Sequence, residues 1–172
     1  MITSNEQTES SFRSLPLRKV LIALDYDPTA QKVAEIGYSL AKSMNAEVVL
    51  LHVVAENSYY SSLDYSPIMG FNGFSNLDPS LNINIEEVKR ASADFLEKTR
   101  SYLGDEKIEI AVAEGDFAVS ILEAAKELKV DLIVMGTVSK KWLEKVIVGS
   151  VAENVLKHST IPLLIIPTKG SK

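Results

Sequence analysis

The residues best suited to chemistry in this 172-residue chain lie between Met135 and Asn154. Gly136 leaves a short apolar run, Leu132 to Met135, and Gly149 stands directly before Ser150 at the start of a helical pattern. Glycines in such places let backbone N–H groups approach an anion closely, and a helix N-terminus adds partial positive charge. Ser150 brings a hydroxyl that can cap the helix or meet a phosphate oxygen. Between the glycines Lys140, Lys141 and Lys145 outnumber Glu144, in a chain whose formal charge is −5. These residue types point to an anion site. A plain turn at Gly136 and a plain cap at Gly149-Ser150 explain the same residues without a ligand, and local chemistry alone does not separate the two.

Other chemistries are excluded by what is missing. There is no cysteine, hence no disulfide framework, thiolate metal site or cysteine nucleophile. No Gly-x-x-x-x-Gly-Lys-Ser/Thr loop occurs, and no Gly-x-Gly-x-x-Gly follows the first strand pattern, which argues against P-loop and dinucleotide-dehydrogenase chemistry. The two histidines stand far apart: His52 sits inside an apolar strand pattern as a satisfied core residue, and His158 near a helix C-terminus, where it suits the dipole. Trp142, among the lysines, reads most simply as a packing anchor beside the loop, with stacking on a ligand as the alternative. No nucleophile–base pair can be assembled, so no dedicated catalytic centre is expected.

The elements that must position these residues alternate short apolar runs with amphipathic stretches. Lys19 to Leu24 is apolar enough for a strand buried on both faces, and it stops at Asp25. Asp27 followed by Pro28 predicts a helix start, with Val33, Ile36, Leu40 and Met44 on the inward face. A second strand is expected over Glu47 to Val54 and a helix over Ile85 to Leu103, with Val88, Ser92, Phe95, Leu96 and Leu103 inward. Ile108 to Ala113 reads as an edge-like strand because of Glu109. Asp116 to Leu128 reads as a helix with Ile121, Leu122, Ala125 and Leu128 on one stripe. Leu132 to Met135, a helix capped by Ser150, and Pro162 to Pro167 complete the series. Five strands separated by four helices require parallel neighbours and helices on both faces. The expected fold is a single doubly wound α/β domain.

The polar residues 1–17 are expected to form a disordered arm, residues 18–168 the domain, and 169–172 a tail. No apolar run approaches the ~18 residues of a membrane-spanning helix. The stretch 55–84 has neither period, and it holds Tyr59, Tyr60, Tyr65, Phe71 and Phe74. It reads either as a surface insertion or as a segment whose aromatics cover a cleft or meet a partner.

The stretch from Gly136 resembles the signature of the universal stress protein (UspA-type) family: Gly, two residues, Gly, nine residues, Gly, Ser/Thr. Gly136, position 139 and Gly149-Ser150 reproduce its spacing. The Val20–Asp25 run, the Leu50–Val53 run, Gly115 and the segment after Ser150 are similar to the family too, so the resemblance covers roughly residues 18–168. It implies a five-stranded parallel sheet of order 3-2-1-4-5 and a homodimer through the last strand, 162–166. It also implies an adenine nucleotide (ATP, ADP or AMP, with or without Mg2+ or Mn2+) at the switch point between strands one and four. By the resemblance, Asp25 takes the ribose hydroxyls and Ala23 and Val53 border the adenine. Gly136, Gly149, Ser150 and Val151 hold the phosphates, and Met135 and Ser139 also belong to the nucleotide site. The implied role is a cytoplasmic, nucleotide-responsive stress regulator with at most slow ATP hydrolysis and no nucleic-acid or membrane partner, as the acidic balance also argues. The chain departs from the pattern at Ser139, where the signature has glycine, at Val138, and at Asp27, where relatives commonly have serine. Ser139 restricts the backbone and Asp27 adds negative charge, which favours ADP or AMP over a triphosphate. The alternative is a dimeric interaction module of the same family that has lost its nucleotide.

Overall fold

The structure, a computed structural model, describes residues 16–55, 84–137 and 150–168. Its elements run β1 (Lys19–Ala23), α1 (Ala30–Ser43), β2 (Glu47–Val54), α2 (Ile85–Leu103), β3 (Glu109–Glu114), α3 (Phe117–Glu127), β4 (Leu132–Thr137), α4 (Ser150–His158) and β5 (Leu163–Pro167). The five strands form one sheet ordered β3-β2-β1-β4-β5, every neighbouring pair parallel. This is the doubly wound α/β architecture expected from the alternation of patterns.

Alternation along the strands splits the core into two layers. Val20, Ile22, Leu50 and Val134 face α1 and α2, where they meet Val33, Ala34, Ala41 and Leu96. Leu21, Val49, Leu51, Val53 and Ile133 face α3 and α4, against Ala118, Ile121, Ala125, Ala152 and Val155. Full burial of side chains of this size stabilises by about 1.5–3 kcal/mol each before entropy is counted. β1 and β4 have helices on both sides, which is why their sequences are apolar on consecutive positions.

Several boundaries and faces differ from expectation. The inward face of α1 is Ala30, Val33, Ala34, Gly37 and Ala41, with Ile36 40 % exposed. The helix lies so close to the sheet that a β-carbon at Gly37 would sit 2.9 Å from Cδ1 of Ile22, so small residues mark the contact. Leu40 and Met44 pack at the border of the same layer. Regular helix begins at Ala30 behind Thr29. Asp27 organises the turn before it, accepting bonds from the Thr29 N–H at 2.9 Å and its hydroxyl at 2.7 Å. Asp116 is the N-cap of α3, accepting from the N–H groups of Ala118 and Val119. Ser150 is already helical rather than preceding its helix. Residues 1–15 of the expected 1–17 arm, most of the 55–84 stretch, Trp142 and the lysine-bearing loop lie outside the described residues.

Candidate functional site

Parallel strands all end at the same side of the sheet, and where the chain winds outward from β1 in both directions a crevice must open. β1 leads into α1 on one face, and β4 is followed in the chain by α4 on the other. Register aligns the strand ends: Ala23 lies between Leu51 of β2 and Met135 of β4. A cavity of about 450 Å3 occupies this crevice, within the range of small-molecule sites.

Its lining changes character across the sheet. On the β2 side the walls are Leu51, His52 and Val53, joined by Phe117 and Ile121 from the start of α3. In the middle, β1 contributes Ala23, Leu24 and Asp25. On the β4 side lie Met135 and Gly136, with Ser150, Val151 and Ala152 from the first turn of α4, and Thr168. The cavity is apolar toward β2, carries a carboxylate over β1, and meets a helix N-terminus and a hydroxyl toward β4. Gly136 is narrow by necessity, because a β-carbon there would lie 2.9 Å from Cγ2 of Val33 and 3.1 Å from Cγ2 of Thr168. The Thr168 hydroxyl donates to the carbonyl of Thr137, fastening the residue after β5 across the end of β4.

Asp25 opens to the cavity mouth, yet the protein packed around its carboxyl removes enough water to raise its pKa above the usual carboxylate range. The neighbouring Asp27 charge raises it further, while the Asp27 N–H, 3.2 Å from Oδ1, partly offsets the effect. His52, beneath, is 6 % exposed. Its Nδ1 lies 2.8 Å from the Leu24 carbonyl oxygen, which can only accept, so this nitrogen carries a proton. Burial lowers its pKa, which keeps the ring neutral. His158 likewise bonds a carbonyl, that of Asn154 one turn back. Among the described residues no three His, Asp or Glu side chains are grouped to hold a metal ion.

Comparison with known proteins identifies the frame around this cavity. Residues 16–167 match the Universal stress protein family. The chain belongs to that family. A universal stress protein of Methanocaldococcus jannaschii is 32 % identical over 152 residues, covering 87 % of this chain and 81 % of the relative. Among solved structures, the universal stress protein UspA from Lactobacillus plantarum superposes with a TM-score of 0.66 at 20 % identity, covering 89 % of this chain and 99 % of that one. A universal stress protein solved in complex with cAMP superposes at 0.57 and 19 % identity, covering 90 % and 100 %. At these identities the two structures establish the shared fold.

In this universal stress protein, seven of the nine residues singled out from sequence line one cavity: Ala23, Asp25, Val53, Met135, Gly136, Ser150 and Val151. Ser139 and Gly149 lie outside the described residues. Leu51, Phe117, Ile121 and Thr168 also line it and were not anticipated. Leu51 was legible as the residue two before Val53, on the same strand face. Phe117 follows the Asp116 cap and Thr168 follows the last strand, and nothing in their types marks them for a wall.

Proposed function

We propose that this universal stress protein binds an adenine nucleotide in the crevice between β1 and β4 and acts as a nucleotide-responsive stress regulator. The observation that carries the proposal is the order of surfaces across the sheet. An apolar wall of Leu51, Val53, Phe117 and Ile121 suits a purine; Asp25 suits vicinal ribose hydroxyls; Gly136, Ser150 and the start of α4 suit phosphate. A base, a sugar and a phosphate are linked in that same sequence in a nucleotide. The relative solved with cAMP supports an adenine nucleotide as the ligand class. A divalent ion accompanying the phosphates would rest mainly on the phosphates themselves, given the donors around the cavity.

The same reading extends to assembly and setting. β5 is an edge of the sheet, and its Leu163, Leu164 and Ile165 are only half-buried, which favours a homodimer formed edge to edge through 162–166. The net charge of −5 argues against a nucleic-acid partner, and the proposed setting is the cytoplasm. Among the described residues no helix is long and apolar enough to cross a membrane.

Two measurements test the ligand. Denatured purified protein should release an adenine nucleotide detectable by mass spectrometry. With the emptied protein, AMP, ADP and ATP should each be titrated in a thermal shift assay. Ligand at a hundred times its dissociation constant adds ~2.7 kcal/mol of stability, or a Tm rise of roughly 5–10 °C for a chain of this size. Absence of both release and shift would leave the dimeric interaction module, which Ser139 in the signature position favours.

A further inference from the structure

We infer that His52 is a positioning residue that holds Asp25 in place from beneath, so that one strand, β2, sets both the apolar wall at Val53 and the carboxylate on β1. The inference rests on the nucleotide reading for its functional meaning, and its geometry stands apart from that reading. Asp25 lies beyond the last residue of β1, where the ladder to its neighbours has ended. The residues on either side of it are nevertheless both fastened. Leu24 donates its N–H to the Leu51 carbonyl at 2.9 Å and accepts from His52 Nδ1 at 2.8 Å. Tyr26 lays its ring against the imidazole with centroids 4.2 Å apart, and Phe95 of α2 closes the cluster 4.9 Å from Tyr26. The Tyr26 hydroxyl donates to Ser92 Oγ at 2.7 Å, and the Ser92 hydroxyl in turn donates to the Val88 carbonyl at 2.8 Å.

Packing alone does not account for an imidazole here. A leucine fills similar space without the cost of burying a polar ring, and the ring is retained where its N–H meets the one carbonyl that precedes Asp25. Successive residues of a strand point to opposite faces, so Val53 joins the layer under α3 while His52 packs against the Tyr26 ring, and both border the cavity. The distance between the base-binding wall and the ribose-binding carboxylate is thereby set by adjacent residues of one rigid strand.

The test uses His52→Leu and His52→Asn in the full chain. Asparagine places an amide nitrogen near the position of Nδ1 and can donate to the Leu24 carbonyl; leucine cannot. Both lose ring packing, so both lower Tm. Two readouts follow: the titration of the Asp25 carboxyl carbon by NMR in ligand-free protein, and the dissociation constant for ADP by calorimetry. The Asn variant is expected to keep the raised Asp25 titration and to bind within about threefold of wild type. The Leu variant should return Asp25 toward the ordinary carboxylate range and weaken ADP about tenfold or more. If His52→Leu does not fold, Tyr26→Phe, which removes the hydroxyl bonded to Ser92, should move both readouts the same way by a smaller factor. A Leu variant, or a Tyr26→Phe variant in its place, with wild-type titration and affinity overturns the inference. Should wild-type protein bind no adenine nucleotide, the function proposal fails by itself, and the Asp25 titration alone decides whether His52 positions the carboxyl.

Discussion

Gly136 of β4 and Val33 of α1 approach so closely that a β-carbon on the glycine would stand 2.9 Å from the valine Cγ2. The contact joins the cavity floor to the helix that follows β1, and Thr168 crowds the same point at 3.1 Å. Gly136→Ala therefore over-packs a site with no flexible side-chain end to yield. A loss of about 1–3 kcal/mol is expected, lowering Tm by roughly 3–10 °C in thermal unfolding. The companion change Val33→Ala makes room, so the double variant should be more stable than the two single losses added together. Strict additivity would show that the two residues do not compete for this space.

Asp25 is expected to set binding against stability. Its folded-state pKa is raised, so the folded protein holds the proton more tightly than the unfolded chain does. The sign follows: stability is fully present at pH below the unfolded value and is lost as pH rises through the folded value. At neutral pH the ionised group is a burden on the empty protein. Asp25→Asn should raise Tm of ligand-free protein at pH 7 while weakening nucleotide affinity about 10- to 100-fold, the scale of a charge-assisted hydrogen-bond pair. Isothermal titration and thermal unfolding on the same sample check both signs. A variant that loses stability and keeps affinity would remove Asp25 from the site.

The strands were legible because their chemistry is one-dimensional. β2 runs over Glu47–Val54 as its continuous apolar pattern required, and Asp25 was placed at the end of β1 by the change from apolar to acidic residues. Strand order came with the family resemblance, since the same alternation of strands and helices is compatible with other neighbour orders. Of the expected face of α1, Val33 is buried and Leu40 and Met44 pack at its border, but close helix–sheet contact selects Ala34, Gly37 and Ala41, which an apolar-periodicity reading passes over in favour of the exposed Ile36. Phe117 and Thr168 reach the cavity only through three-dimensional register: one sits beyond the end of β3 and the other beyond β5. Short-range spacing carries no trace of that.

His52 makes stability depend on pH in the opposite direction to Asp25. Burial lowers its folded-state pKa, so below about pH 6.5 the unfolded chain takes up a proton that the native ring refuses. Native stability is then expected to fall as pH drops from 7 toward 5.5, by at most about 1.4 kcal/mol per pH unit for one proton. His52→Asn has nothing to titrate there and should give a flatter profile over that window. Urea unfolding at half-unit pH steps measures both; parallel profiles would mean that another group governs the acid limb.

The edge strand β5 offers a direct check on assembly. Ile165 is half-buried within one chain and lies on the outermost strand. A lysine there places a charge in any edge-to-edge interface. Ile165→Lys is expected to shift the protein from dimer to monomer in light scattering while circular dichroism retains the α/β signature. A dimer of unchanged stability in the variant would move the interface to another face.

Ser150 distinguishes a phosphate site from a simple helix start. It is the first described residue of α4, and it lines the cavity. A carboxylate in the first turn of a helix interacts favourably with the dipole by about 0.3–1 kcal/mol. Ser150→Asp should therefore leave the empty protein as stable as wild type or slightly more so. The same carboxylate stands where the phosphate oxygens of a nucleotide would approach, and repulsion at that distance should weaken ADP by tenfold or more. Adenosine, which has no phosphate, should be affected far less. Measuring both ligands on one variant separates charge from shape: equal losses would mean that the aspartate merely blocks the cavity, and no loss for either would place the phosphates away from α4.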